Sequence, residues 1–470
     1  MATLMTPLFS KRRTLSLRMI IIPVVGFLAG LAAVFLYFSP RVAAVEPASG
    51  AHTGSYAAIE ARFSVPMDPA CTASHFSLQP AAVGDLSVQG NVLRFAPKNP
   101  WPAGAAVKVT VSSGACARNR LPLISDFSWS FVPSPYRVAY ISAEDPTRLR
   151  IIPSDGVNSA ELVHAAGSIQ DFQISPRGDF LVYSTGSEGG PGGIWLDRLD
   201  AGAPSLLVDC KPDSCHAAVI SPDGSMVAYE RAPYESSPSG SIRPGNSYIE
   251  LLDLGNAQGR IASPSGHDAS NPVWAPSGWL SYFDADRQAI VVDDLQGGAT
   301  LIPNATGENW VWLPDGSGVV FPEISPDTVS PSGPNTNSES LRIFSQLILV
   351  TVKTNGRRNL SGTEQLEDYS PAVSPDGARL AFARNYFDAR WTPGRQLWIL
   401  NLQDYSVRQL TQSPDYGVSS IHWSSDGTRL VFMRFHETNP SDPPEIWVVA
   451  ADGSGARSFV TGGFLPQWLP

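Results

Sequence analysis

The sequence has no Gly-x-Ser-x-Gly elbow, no phosphate-binding Gly-rich loop and no His-Glu-x-x-His pair. It therefore offers no serine-hydrolase, P-loop or zincin motif. Charge is sparse and short of cations: 33 Lys and Arg stand against 43 Asp and Glu, for a net −10. Nucleic-acid binding needs the opposite balance, so that partner class is set aside. Only four cysteines occur in 470 residues, and segments with helical periodicity are few. In their place stand 41 Pro, 40 Gly and 10% aromatic residues, the composition of short strands joined by tight turns, and we read the chain as all-β.

One long apolar run is present. Residues 19–38 carry no charge and are long enough to cross a bilayer as a helix. Lys11, Arg12, Arg13 and Arg18 precede it with no acidic residue among them, which places residues 1–18 in the cytoplasm and the bulk outside the cell membrane, a single-pass signal anchor. The alternative is a cleaved signal peptide ending at Val42-Ala-Ala44. With the +4 of the tail removed from −10, residues 19–470 carry −14, which does not suggest binding to anionic lipid. Four cysteines suit an oxidising compartment, and we expect Cys71 to pair with Cys116 and Cys210 with Cys215. Zinc held by Cys210, Cys215 and His216 is the rival for the second pair.

Seven copies of one pattern fill the last two thirds of the chain. An apolar strand end runs into a tight turn at Gln173–Gly178, Val219–Gly224, Val273–Gly278, Val311–Gly316, Ala372–Gly377 and His422–Gly427, with a truncated copy at Gln467–Pro470. The anchors Ile174, Ile220, Trp274, Trp312, Val373, Trp423 and Trp468 are spaced by 46, 54, 38, 61, 50 and 45 residues, which suits four-stranded propeller blades with unequal loops. In the turn, Pro pre-sets the first dihedral, Asp caps its own backbone and Gly takes the left-handed position. Strands such as Arg379-Leu-Ala-Phe382 and Gln396-Leu-Trp-Ile-Leu400 follow.

These copies resemble the TolB-like, WD-type propeller repeats, whose signature is a strand ending in Trp-Ser-Pro-Asp-Gly followed by Leu-Ala-Phe. The same repeats occur in periplasmic scaffold proteins, in prolyl oligopeptidase-type enzymes and in oligogalacturonate lyases, so the resemblance speaks to architecture. Residues 42–134 alternate apolar and polar positions at Ala57–Phe63, Asn91–Phe95, Ala106–Val111 and Phe127–Phe131, as strands of a two-sheet sandwich do. With Pro47–Gly50, Phe63–Asp68 and Trp101-Pro-Ala-Gly104, this segment resembles the SbsA-type bacterial immunoglobulin-like domain, a module that implies a stalk and no catalytic residue.

The propeller, residues 135–470, opens at Tyr136–Ile141 without an inner strand and closes on an inner strand with nothing after it. Pairing Phe464–Leu469 with strands at 136–142, 148–153 and 160–165 completes a seventh blade. Within a blade, the first-to-second and third-to-fourth connections share one face and are short here. The opposite face collects the long ones: Thr185–Gly192, Ala232–Asn246, Pro322–Ser340, Asn385–Arg395 and Phe435–Pro444. Tyr234, Tyr386, Phe387, Trp391 and Phe435 are expected in those loops, as a ligand-binding surface or tucked beneath them. Arg231, Arg384 and Arg434 each fall seven residues after a turn glycine and are expected at equivalent places, as an anion-binding arc or paired with Asp268, Glu367 or Asp368.

His216, His267 and His436 fall in loops of the same face. The lyase resemblance would give such histidines a metal, but its ligand set has no residue-by-residue match here, and Asp284-x-Asp286 reads as a turn. The expectation is a membrane-anchored extracytoplasmic binding protein without catalytic residues, cofactor or metal. Its partner is an envelope protein or a cell-wall polysaccharide component, and its ligand residues are Tyr234, Arg231, Arg384, Tyr386, Phe387, Trp391, Arg434 and His436. A polysaccharide-acting enzyme on the same frame is the alternative.

Overall fold

The computed structural model describes residues 38–53, 57–98, 101–102, 104–133, 137–153, 159–186, 192–199, 203–236, 242–329, 340–362 and 364–469. The basic tail, the apolar span but for Phe38, and residues 134–136 lie outside them. Among the described residues no helix is long and apolar enough to cross a membrane. The chain divides into two compact units, 1–134 and 135–470.

The first unit is a sandwich of two four-stranded sheets. One holds Val42–Glu46, Ile59–Phe63, Val92–Pro97 and Gly84–Gln89, in that spatial order; the other holds His52–Thr53, Phe127–Pro133, Val107–Val111 and Phe76–Gln79. Alternation sets the core: in Val107–Val111 the three valines are buried and Lys108 is exposed, because successive side chains point to opposite faces. Phe63, Leu93, Phe95, Trp101, Trp129 and Phe131 fill the space between the sheets. A six-residue helix, Pro69–Ser74, was not expected, since it is too short to show a period. It starts on Asp68, whose carboxylate accepts the Cys71 amide at 2.9 Å, with Pro69 in the first turn. The helix brings Cys71 to Cys116 in a disulfide, Cα atoms 5.8 Å apart.

The second unit repeats a four-stranded antiparallel pattern. The anchors Ile174, Ile220, Trp274 and Trp423 each end the first strand of a separate sheet. The Trp312 and Val373 patterns join through one parallel pairing, Ser345 with Glu367, into an eight-stranded sheet. The expected pairing of the chain ends is present: Gly463–Leu469 lies against Arg137–Ser142, followed by Arg148–Pro153 and Ala160–His164.

Packing links these patterns in a cycle. Each apolar cluster of the unit lies between one pattern and the next: Val182 and Ile194 meet Ile220 and Val227, Leu251 meets Leu280, Phe283 meets Trp312, Val320 meets Phe382, and Ala383 meets Phe432. The cycle ends where it began, because Val448 packs with Tyr140 and Trp468, and Leu469 with Phe172 and Tyr183. The tryptophan anchors also reach back by hydrogen bond. Trp274 Nε1 donates to the Val219 carbonyl at 3.1 Å and Trp423 Nε1 to that of Ala372 at 2.9 Å. Ala217, Asn271, Ser370, Ser420 and Leu465, each three residues before an anchor, are left-handed with φ between 48° and 54° and bulge the first strand.

Several segments expected as loops are strands. Tyr234 lies in a small hairpin, Tyr234–Ser236 against Ile242–Pro244. Tyr386 ends Arg379–Tyr386, while Phe435 and His436 end Arg429–His436. Of Pro322–Ser340, residues 322–329 and Ser340 belong to two long paired strands, Gly318–Val329 against Ser340–Thr351, and 330–339 lie outside the described residues. Antiparallel pairing carried these strands past the end of their apolar pattern, which is all the sequence shows. His216 sits within the strand Ser214–Ile220, not in a loop.

Candidate functional site

Register puts the three arginines at matching places, each opposite the residue five before its anchor: Arg231 faces Cys215, Arg384 faces Asp368 and Arg434 faces Val418. They are not a free anion-binding arc. Arg384 makes two hydrogen bonds of 2.7 Å to Asp368, and both side chains are almost fully buried. Ser361 Oγ donates to the same carboxylate at 2.5 Å. Burial pushes the Asp368 carboxyl up, against the pull of Arg384. Arg231 pairs with Asp213 at 2.8 Å and Glu250 at 3.5 Å, and Arg434 with Glu445 at 3.2 Å. Of the carboxylates named beforehand, only Asp368 takes one of these arginines. Glu367 holds Arg395 at 2.8 Å, and Asp268 accepts the Ser247 amide at 2.9 Å.

Aromatic rings wrap the cations. The Arg384 guanidinium lies 4.9 Å from the Phe382 ring centre and 5.7 Å from those of Tyr386 and Trp398. Arg434 sits 3.7 Å over Tyr416 and 4.2 Å from Trp447. Trp398 and Trp447 occupy the same third-strand position, where desolvated cation–π contacts reach about 2 kcal/mol. The recurring Leu-Trp-Ile and Ile-Trp-Val triplets were the sequence signal for this stacking.

Arg384 and Tyr386 come together with Asn385, Arg390, Thr392, Gln396, Trp398 and Gln409 around a pocket of about 160 Å³. Arg390, not anticipated, covers Tyr386 at 3.7 Å and pairs with Glu364 at 2.9 Å and Asp388 at 2.5 Å. Phe387 packs edge-on against Phe344 at 5.2 Å. His436 lies on Tyr416 at 4.6 Å, so Arg434 and His436 share one ring. Trp391 stands out from the same connection with 56% of its surface exposed. Arg231 and Tyr234 belong to the Ile220 pattern.

The histidines hold separate partners. His216 Nε2 is 3.5 Å from Glu230, and His267 Nδ1 is 2.8 Å from the buried Asp284. His267, Asp284 and Asp286 place one potential ligand atom each within 4.8 Å of one another. Two of those donors are in use, since Arg287 lies 3.5 Å from Asp284 and Asp286 accepts the Asp268 amide at 2.8 Å. Cys210 and Cys215 form a disulfide with Cα atoms 5.9 Å apart, so the sulfurs carry no zinc.

Residues 39–132 match the bacterial Ig-like domain family. No curated protein matches the chain. TolB from Acinetobacter baumannii is 14% identical with a TM-score of 0.42, over 84% of this chain and 83% of that one. An oligogalacturonate lyase in complex with manganese is 15% identical with a TM-score of 0.45, over 69% and 84%. A puromycin-hydrolyzing peptidase of Mycobacterium tuberculosis is 13% identical with a TM-score of 0.50, over 90% of this chain but 57% of that one. At these identities the likeness is one of fold.

Proposed function

We propose that this chain is a membrane-anchored extracytoplasmic binding or scaffold protein. Residues 1–18 stay in the cytoplasm, 19–38 anchor the chain, 42–134 form an SbsA-type stalk, and 135–470 form a seven-bladed propeller that engages an envelope protein or cell-wall polysaccharide. The cyclic order of the apolar clusters supports the blade count, with the eight-stranded sheet read as two blades.

The observation that carries the binding role is the contrast around Trp391. Arg384, Arg434, Tyr386 and Phe387 are committed to internal pairs and stacks, whereas Trp391, a few residues beyond Tyr386 and Phe387 in the chain, offers an exposed aromatic surface. Exposed aromatic residues ringed by polar groups are common binding anchors. Photo-crosslinking from position 391 in intact cells, followed by identification of the adduct, tests this. One saturable envelope adduct supports the reading, and no adduct beyond that of an exposed Trp279 control sinks it. Turnover of a polysaccharide with stoichiometric metal would favour the enzymatic alternative. Protease added outside intact cells should degrade everything beyond about residue 40 and spare an N-terminal tag, whereas a mature protein beginning near Val45 would establish cleavage.

A further inference from the structure

We propose a second ligand site on the opposite, short-turn face: a cleft between the Ile174 and Ile220 patterns that takes a small organic anion with an apolar body. The cleft has a volume of about 440 Å³, within the range of small-molecule sites. Phe180, Leu196, Leu207 and Leu254 supply its apolar lining and Arg177 and Arg198 its cations, while the two carboxylates that also line it, Asp179 and Asp223, accept hydrogen bonds from the turn hydroxyls of Ser175 and of Ser221 and Ser225.

Both arginines depart from the repeat. The turn position of Arg177 is Asp223, Asp376 and Asp426 in three other copies, where each carboxylate accepts the hydroxyl of the turn serine at 2.5 to 2.7 Å. In the Ile174 copy the cap has moved: Ser175 Oγ donates at 2.6 Å to Asp179, two residues beyond Arg177. The turn is thus capped without residue 177, leaving that place to a cation. Arg198 likewise stands where other copies have Asp253 and Asn401, because the amides of the next residues, Leu199, Leu254 and Leu402, all bond back to the start of the second strand. Asp253 and Asn401 cap their own turns at 2.8 Å, which an arginine cannot do. Two turn caps have become two cations at one cleft, and among the described residues neither guanidinium has an ion-pair or hydrogen-bond partner.

The space itself has an identifiable origin. Between the Val373 and Trp423 patterns the corresponding place is plugged by arginines of the chain. Arg379 lies 4.8 Å over Trp423 and donates to the Gly427 carbonyl at 2.8 Å, and Arg408 donates to the carbonyls of Ala451 and Asp452 at 2.6 Å each. By register, the Ile174 copy has Phe180 and Ser205 at those two positions, and Ile220 replaces Trp423. With Asp179 and Asp223 engaged by their own turn serines, a cleft emptied of its plugs and given two unpaired cations recognises a carboxylate or a phosphate ester on an apolar group.

The test uses the full chain in an uncharged detergent, titrated with phenyl phosphate and with 3-phenylpropionate by calorimetry. Saturable binding of either probe is expected, and the tighter one identifies the head group. R177D and R198N restore the residues of the other copies and should each weaken binding about tenfold or more, the worth of a charge-assisted hydrogen bond. S205R should block the cleft as Arg408 does elsewhere. All three variants should melt as the parent does. Absence of saturable binding by both probes, or binding unchanged in R177D, R198N and S205R, would overturn the proposal.

Discussion

The indole Nε1 of Trp468 donates to the backbone carbonyl of His422 across 3.1 Å. The neighbouring Gln467 donates through Nε2 to the carbonyl of Phe172 at 2.7 Å, on the other side. The last strand is thus tied to the patterns before and after it, while its backbone pairs with Arg137–Ser142. Truncation after residue 462 should remove these ties and uncover Val138, Tyr140 and Ile141. Burial of Trp468 and Leu469 alone is worth roughly 1.5–3 kcal/mol each, so the loss should be about 3–6 kcal/mol or more and promote aggregation. Thermal melting and sedimentation check this, and a truncated chain that stays monomeric and melts within about 2 °C of the parent contradicts it. W468F keeps a six-membered aromatic ring but loses the N–H and the rest of the indole, and should cost about 1–3 kcal/mol, less than the truncation.

The two disulfides should differ in weight. Cys71–Cys116 spans 45 residues and Cys210–Cys215 only five. In the chain-entropy model the longer loop contributes about 3–4 kcal/mol, and the shorter one restricts the unfolded chain little. Replacing Cys71 and Cys116 with Ser should therefore lower the melting temperature of the first unit well beyond any effect of the other pair. Calorimetry of both double variants decides it, with equal effects the unwelcome result.

Asp368 and Arg384 invite a sharper comparison. Asp368→Asn leaves a guanidinium buried beneath Phe382, Tyr386 and Trp398 without its counter-charge. Breaking such a pair from one side costs about 3–5 kcal/mol, whereas an apolar replacement of both partners is often close to neutral. Denaturant unfolding of D368N and of D368L/R384M should show that ordering. A mild D368N would mean that water enters and relieves the cation.

Much of this architecture was legible because it is written as repetition. The Pro-Asp-Gly turns, the Trp anchors and the incomplete copies at the two ends imply repeated four-stranded patterns and the pairing of Gly463–Leu469 with Arg137–Ser142. Strand ends were not legible, because backbone pairing continues after the apolar pattern stops, as at Phe435–His436 and in Gly318–Val329. The equivalence of Arg231, Arg384 and Arg434 could be counted from the turn glycines, and Asp368 was among the carboxylates expected to pair with them, but the partners of Arg231 and Arg434 could not be read. Asp213 and Glu250 reach Arg231 only through the fold of one connection and the register of the third strand. Arg390 carried no sequence signal, since its role depends on Tyr386 lying beneath it.

Binding and stability should separate on the two faces. Trp391 is exposed and has little packing to lose, so Trp391→Ala should weaken capture of the partner with a stability change below about 0.5 kcal/mol. Gly377 sits at φ +70° in a short turn, where a β-branched residue is strained. Gly377→Val should cost about 1–3 kcal/mol and leave capture by the folded fraction unchanged. Melting curves paired with crosslinking yields distinguish the two, and a strong stability loss in W391A would mean that the indole is packed.

His422 supplies a pH signature for the same closure. Its ring is reached by solvent yet hemmed in by protein, and burial pulls its pKa down to about 4 from the usual 6.5. Below pH 6.5 the unfolded chain therefore holds a proton that the folded chain does not, and stability falls as the pH drops from 6.5 towards 4. Above 6.5 both states are neutral and the residue contributes no slope. Solvent access to the ring trims the effect, so a difference of a few degrees in melting temperature is expected. The turn carboxylates Asp223, Asp315 and Asp376, held below their ordinary pKa by hydrogen bonds to serines and backbone amides, also lose stabilisation as they protonate. Their contribution is common to the parent and to His422→Gln, whose carbonyl still accepts from Trp468. The difference between the two melting profiles thus isolates the imidazole: it should be flat above pH 6.5 and grow steadily below it. Parallel profiles down to pH 4 would show that His422 takes up its proton in the folded state without penalty, through water reaching the first strands.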